Sequence, residues 1–316
     1  MGMGKGREIL LVGAGTMGAP IAQVYASAGY QVTLTDINPE VLRRAEARIA
    51  SNLKTLAEFG EIDEQAVKET PDRITYAADY REAAPRADLV VETVTENPDL
   101  KREIFAELGR LCSPQAILTS NTSAMNIFDA APVSHPERQI IFHWCTPAHI
   151  MPLVELVMGP ATSVETLQKC QAIAAELGKQ AVVVRQYIPG FIINRLSAAM
   201  AREAGYMVGK GWASPEDIDT AICNTFGLRY GFEGHLELFD YIGWDVAYLV
   251  GAFLNPLLCS DPTPADLARQ MVEKNTLGVK TGRGLKDYHH LTPEQAEEIR
   301  QRKILKMKKA LQDIRA

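Results

Sequence analysis

Ile9-Leu10-Leu11-Val12-Gly13-Ala14-Gly15-Thr16-Met17-Gly18, a helical run from Ala19 to Ala28, Gly29, and then Gln31-Val32-Thr33-Leu34-Thr35-Asp36 decide how the chain is read. An apolar strand feeds a glycine-rich turn, a helix begins at that turn, Gly29 ends the helix, and a second strand finishes on an acid. Gly13 allows the tight turn, Gly15 lets backbone approach a pyrophosphate, and Gly18 lets the helix pack on the strand. Free N–H groups at the helix start face the phosphates. The turn residues Gly13, Gly15, Thr16, Met17 and Gly18 are thus the expected cofactor contacts. Asp36 falls where the dinucleotide fingerprint needs an acceptor for the adenosine ribose. Ile37 and Asn38 follow it, with no Arg for a 2′-phosphate, so NAD is expected over NADP. The bland alternative is that the glycines only shape a tight strand-to-helix turn.

Length and composition bound the rest. At 316 residues and 47% hydrophobic, the chain suffices for two domains with filled cores. A net charge of −6, with basic residues scattered except at the extreme C-terminus, points away from nucleic acid as a partner. The five cysteines are odd in number and lie far apart, which fits reduced thiols in a cytoplasmic protein and no metal site. No signal peptide is read in Met1–Lys5. The apolar run Val246–Leu258 is too short for a membrane span and carries Asn255 and Pro256, so it is read as a buried helix.

After Asp36, Asn38-Pro39-Glu40 opens a helix to about Phe59, and a second helix runs from Asp63 to Pro71, interrupting simple β-α-β alternation. Strands are predicted at 73–76, 89–92, 117–120, 140–143, 153–157 and 181–184, with helices at 98–111, 125–131 and 164–177. Such alternation predicts a mostly parallel sheet with helices on both faces. Beyond Pro189-Gly190 the pattern is helical: 191–210, 215–225, 237–257, 264–273 and 293–316. The fold class is therefore α/β: a Rossmann-like doubly wound sheet with a helical insertion over 1–187, then an all-helical domain over 188–316.

Polar residues cluster where a doubly wound sheet keeps its active site, at the carboxyl ends of strands. The clusters are Glu92–Lys101 (ETVTENPDLK), Ser120-Asn121-Thr122-Ser123, His143–Glu155 (HWCTPAHIMPLVE) and Pro189–Arg195 (PGFIINR). Their order and spacing resemble the L-3-hydroxyacyl-CoA dehydrogenase family from Ile9 to Tyr288, including the helical insertion and the Lys280-Thr281-Gly282-Arg283-Gly284 turn. The resemblance implies an NAD-dependent dehydrogenase acting on the secondary alcohol of an L-3-hydroxy compound. His143 is then the general base, suited by an imidazole pKa near neutrality, and Glu155 fixes its tautomer. Ser123 and Asn194 would hydrogen-bond the reacting oxygen, and Glu96 and Lys101 would line the ribose and nicotinamide side of the cofactor. Each has a structural rival: a satisfied strand-end histidine, a buried ion-pair acid, and helix caps at Ser123 and Asn194.

The chain also departs from acyl-CoA members. Thr146 replaces the usual Asn three residues after the histidine. The insertion reads Leu56-Ala57-Glu58-Phe59-Gly60-Glu61 where basic residues would meet CoA phosphates, although Lys54 is nearby. Gly234-His235 replaces a Gly-Pro pair. The His143–Pro152 segment, Leu228-Arg229-Tyr230 and Thr292-Pro293-Glu294-Gln295 look more like relatives that oxidise free hydroxy compounds: L-gulonate 3-dehydrogenase, with its lens-crystallin cousins, and a pyridine-carboxylate alcohol or aldehyde dehydrogenase. Arg229 is then expected to receive a substrate carboxylate through its bidentate fork, with an ion pair to Glu233 or Glu237 as the rival, and Thr146 to line the substrate. Three readings stay open beside this one. They are a hydroxyacyl-CoA enzyme proper, a 6-phosphogluconate-type β-hydroxyacid dehydrogenase suggested by Gly15-Thr16-Met17-Gly18-Ala19-Pro20, and a non-catalytic crystallin-like protein. The helical domain is expected to support a homodimer.

Overall fold

A computed structural model describes residues 7–315 and divides the chain into two compact units, Met1–Arg195 and Leu196–Ala316. The first unit contains β1 (Glu8–Val12), α1 (Gly18–Ser27), β2 (Gln31–Thr35), α2 (Pro39–Glu58), α3 (Glu64–Asp72), β3 (Ile74–Ala77), β4 (Leu89–Glu92) and α4 (Pro98–Leu111). It continues with β5 (Ile117–Ser120), α5 (Ile127–Ala130), β6 (Gln139–Trp144), β7 (Leu153–Met158), α6 (Val164–Glu176) and β8 (Gln180–Val184). All the strands join one eight-stranded sheet in the order β3-β2-β1-β4-β5-β6-β7-β8. The order reverses between β1 and β4, which opens the crevice for a ligand at the carboxyl ends of the strands. Every pairing is parallel except that of β6 with β7.

The sheet is buried on both faces, and its strands show it. Ile9 and Leu11 point into one cluster with Tyr25, Leu34 and Trp144, while Leu10 and Val12 point into another with Val90, Phe105 and Leu118. A strand so placed is apolar throughout rather than alternating. Burying each such side chain contributes about 1.5–3 kcal/mol. Local capping sets where the helices start. Asn38, Asp63, Asn97 and Ser163 each accept a backbone N–H in the first turn of α2, α3, α4 and α6.

α7 (Ile193–Gly209) crosses from the first unit into the second. The second unit then contains α8 (Pro215–Asn224), α9 (Phe226–Arg229), α10 (Leu238–Ile242), α11 (Trp244–Leu254), α12 (Asp266–Glu273) and α13 (Pro293–Arg315). The single helix expected over 237–257 is broken at Gly243, whose φ of 94° no helix accommodates, into α10 and α11. The expectation of a buried helix over Val246–Leu258 is also corrected: Trp244, Tyr248 and Phe253 are 56, 76 and 72% exposed, and no residue of α11 is buried. Its apolar side chains ring the helix on all sides, so no single packing partner within one chain covers them. No helix among the described residues is long and apolar enough to cross a membrane.

Candidate active site

The glycine turn has the geometry that a dinucleotide needs. Gly13 sits at φ 105°, and a Cβ on Gly18 would fall 1.9 Å from the Gly13 carbonyl oxygen, so α1 approaches the end of β1 as only glycine allows. A Cβ at Gly15 would meet nothing within 4 Å, leaving its backbone open to a ligand. At the N-terminus of α1, Ala19 N donates to Gly15 O at 3.4 Å and Pro20 has no N–H, and with no side-chain cap and no acid in the first turn the positive end of the helix is left for an anion. Asp36 is tied back to the turn, its Oδ2 accepting from Ala14 N at 3.1 Å and its Oδ1 from Asn38 N at 3.0 Å. An open backbone, an uncapped helix start and an anchored acid fit the pyrophosphate and ribose of NAD.

The antiparallel turn back from β6 to β7 places His143 directly opposite Glu155. His143 Nδ1–H donates to Glu155 Oε2 at 2.7 Å, with both side chains buried. Glu155 Oε1 accepts from Ile192 N at 2.8 Å and Ile193 N at 3.1 Å, at the start of α7. Burial pushes the Glu155 carboxyl upward. The hydrogen bonds from His143, Ile193 and Ile192 and the imidazole charge outweigh it, and the net shift is downward. Glu155 is therefore an ionised acceptor that fixes the proton on Nδ1 and leaves Nε2 as the basic nitrogen. The Phe191 ring stands edge-on to the imidazole, 5.3 Å between centroids.

The turn after β5 is bonded at each of its four residues. Ser120 Oγ donates to Glu92 at 2.6 Å, and Asn121 Oδ1 accepts from Trp144 N, beside His143, at 2.8 Å. Thr122 Oγ1 donates to Glu96 at 2.8 Å, and Ser123 N donates to Glu96 Oε1 at 2.8 Å. Ser123 O accepts from Asn194 Nδ2 at 3.0 Å. Ser123, Asn194 and Glu96 are thus brought together, and Thr122 rather than Ser123 receives the Met125 N–H. Lys101 is buried, its Nζ 2.6 Å from Glu92 Oε1 and 3.5 Å from Glu96 Oε2.

Thr146 is exposed on the loop after β6. Arg229 ends α9 in the second unit, its guanidinium 6.0 Å from the Phe226 ring centroid and its Nε buried with no hydrogen-bond partner. Among the described residues it makes no ion pair with Glu233 or Glu237. Sequence reasoning placed Glu92, Ser120, Asn121 and Thr122 in the polar clusters at the strand ends but gave them no role. One signal was present for Glu92: Lys101 stands with Ile104, Phe105 and Leu108 on the buried stripe of α4, and a lysine there demands a buried acid.

Comparison with known proteins follows the same division. The family model described as 3-hydroxyacyl-CoA dehydrogenase, NAD binding domain, matches residues 8–187, and that described as 3-hydroxyacyl-CoA dehydrogenase, C-terminal domain, matches residues 190–288. The chain is 39% identical over 288 residues to the probable 3-hydroxybutyryl-CoA dehydrogenase of Bacillus subtilis, covering 90% of this chain and 99% of that protein. It is 31% identical over 310 residues to 5-formyl-3-hydroxy-2-methylpyridine 4-carboxylate 5-dehydrogenase of Mesorhizobium japonicum, covering 97% and 98%. A crystal structure of an enzyme with that activity, described as an NAD+-dependent dismutase, matches with a TM-score of 0.88 at 31% identity and covers 97% and 98% of the two chains. The (S)-3-hydroxybutyryl-CoA dehydrogenase of Ralstonia eutropha matches with a TM-score of 0.73 at 36% identity, covering 89% and 99%.

Proposed function

The chain belongs to the 3-hydroxyacyl-CoA dehydrogenase family and is an NAD-dependent dehydrogenase acting on CH–OH groups, and we propose that its substrate is a free small hydroxy acid or related polar alcohol. The observation that carries this reading is the likeness to the pyridine-carboxylate dehydrogenase, which spans nearly the whole chain and is the stronger of the two structural matches. The α2–α3 hairpin supports it, since Glu58, Glu61, Asp63 and Glu64 would repel a phosphorylated CoA tail. A thioester substrate is the second reading, favoured by the higher identity to the Bacillus enzyme.

NAD, when bound, supplies the acceptor for the hydride that leaves the alcohol carbon. His143 Nε2 takes the hydroxyl proton, a step that contributes about 10²–10⁴ in rate in such sites. Glu155 keeps the Nδ1 proton in place and stabilises the imidazolium that forms. Ser123 and Asn194 hydrogen-bond the reacting oxygen, Glu96 is the direct contact on the cofactor side, and the buried Lys101 stands behind it. Thr146 lines the substrate, and Arg229 receives the carboxylate through its guanidinium fork.

The test is initial-rate NADH formation with L-3-hydroxybutyryl-CoA, free L-3-hydroxybutyrate and L-gulonate at matched concentrations. Preference for a free acid is expected, together with an Arg229→Ala variant whose KM rises far more than its kcat falls. Preference for the thioester, or an unchanged KM, overturns the reading.

We further propose a cytoplasmic homodimer joined through the helical unit. The uncovered apolar helix α11 supports it, as does the free state of all five cysteines. Sedimentation equilibrium is expected to give twice the 34.7 kDa chain mass, and a monomer at micromolar concentration would discard it.

A further inference from the structure

Glu92 takes no part in the proton transfer described above, yet two of the three contacts of its carboxylate, to Lys101 and Ser120, lead toward Glu96 and the Thr122–Ser123 turn. Oε1 accepts from Val94 N at 2.7 Å and from Lys101 Nζ at 2.6 Å, and Oε2 accepts from Ser120 Oγ at 2.6 Å. Ser120 Oγ in turn accepts from Thr122 N at 3.1 Å. Lys101 extends the chain of charges to Glu96, which holds the Thr122 hydroxyl and the Ser123 amide. Glu92 is 0% and Lys101 1% exposed, so the pair is out of water and its hydrogen bonds must replace the lost hydration.

The arrangement divides the labour of one cation between two acids. Lys101 sits 2.6 Å from the buried Glu92 and 3.5 Å from the half-exposed Glu96. Glu92 thereby keeps the ammonium from closing on Glu96, whose oxygens stay on the Thr122–Ser123 turn. Were Glu92 neutral, Glu96 would be the only full negative charge left near the ammonium, and the shorter pairing would draw it off the turn.

We propose that Glu92 is a positioning residue of the NAD and substrate site, acting through Lys101 and Ser120 to hold Glu96 and Ser123 in place. The proposal rests on the assignment of Glu96 and Ser123 to that site. A network that only fastens β4 to β5 would have the same contacts, so the test must separate position from stability.

Glu92→Gln keeps the size and removes the charge. The dissociation constant for NADH, read from nicotinamide fluorescence, is expected to rise at least about tenfold, the loss of one charge-assisted hydrogen bond. Per folded molecule, kcat/KM is expected to fall by on the order of 10², as for a displaced reacting group. Should Glu92→Gln fail to fold for want of a partner to Lys101, the neutral pair Glu92→Gln/Lys101→Met is measured instead, with the same weakening of NADH expected. A lower melting temperature with NADH affinity and kcat/KM both unchanged overturns the proposal. Glu96→Gln is the control. If it weakens NADH while Glu92→Gln does not, Glu92 is structural only. If Glu96→Gln leaves NADH binding unchanged, the assignment of Glu96 to the cofactor falls, and the role of Glu92 falls with it.

Discussion

Glu92 and Glu155 are both fully buried carboxylates at the same end of one sheet, each paired with a nitrogen base, and the two pairs differ in what the base can do. Lys101 is a buried ammonium under the turn after β5, with no ring nitrogen to give or take a proton on either side. His143 is an imidazole with one nitrogen held by Glu155 and the second left without a partner among the described residues, as the proposed proton transfer requires. Glu155 also takes two backbone amides of the next segment, so it remains well solvated by the protein whichever state the imidazole is in. Glu92 also accepts three hydrogen bonds, but they come from an ammonium, one backbone amide and one hydroxyl, so its partners are spread over three segments that it ties together. Both acids are fully bonded; they differ in whether the paired base has a second nitrogen free.

That contrast can be broken from either side. His143→Asn should lower kcat by about 10²–10⁴ while leaving the NADH dissociation constant close to wild type; unaltered turnover would remove His143 from the mechanism and revive a non-catalytic role. Lys101→Ala should act on folding instead, costing about 3–5 kcal/mol in urea unfolding, because it strands a buried carboxylate. A loss below about 1 kcal/mol would mean that Glu92 takes up a proton or a water at little cost.

Glu155→Gln sharpens the comparison further, with a smaller fall in kcat than His143→Asn and a distinct pH signature. Because folding lowers the Glu155 pKa, the stability it contributes is present above the unfolded-state value of about 4.3 and is lost as pH falls through the folded value. The stability gap between wild type and Glu155→Gln should therefore narrow between neutral pH and pH about 3. A gap that stayed constant over a series of urea titrations would show that the carboxylate is not held ionised by folding.

The two acids also differ in how far the sequence reveals them. His143 and Glu155 stand at the ends of two recognisable apolar strands twelve residues apart, and family register names both. β1, its turn, α1 and β2 were legible for the same reason: strand, glycines, helix and acid are all local signals. Glu92 was not, because its partner comes from α4 and its meaning arises only when β4, β5 and that helix pack. The reversal of β7 was likewise hidden, since strand patterns carry no direction when both faces are buried. α11 misled for an opposite reason. Its composition says only that water is unfavourable, and leaves open whether the cover comes from the same chain.

The cross-strand placement of His143 and Glu155 has a consequence for how the protein acquires activity. Side chains alternate faces along a strand, so a slip of one residue between β6 and β7 would send Glu155 to the far side of the sheet and set Val154 or Leu156 beside the imidazole. Such a molecule would retain its strand content and most of its buried surface while losing the His143–Glu155 hydrogen bond on which the proposed chemistry rests. On the proposed mechanism, specific activity is a count of correctly aligned hairpins, and a refolded sample that regains its circular dichroism before its turnover would be reporting the time β6 and β7 take to find their register.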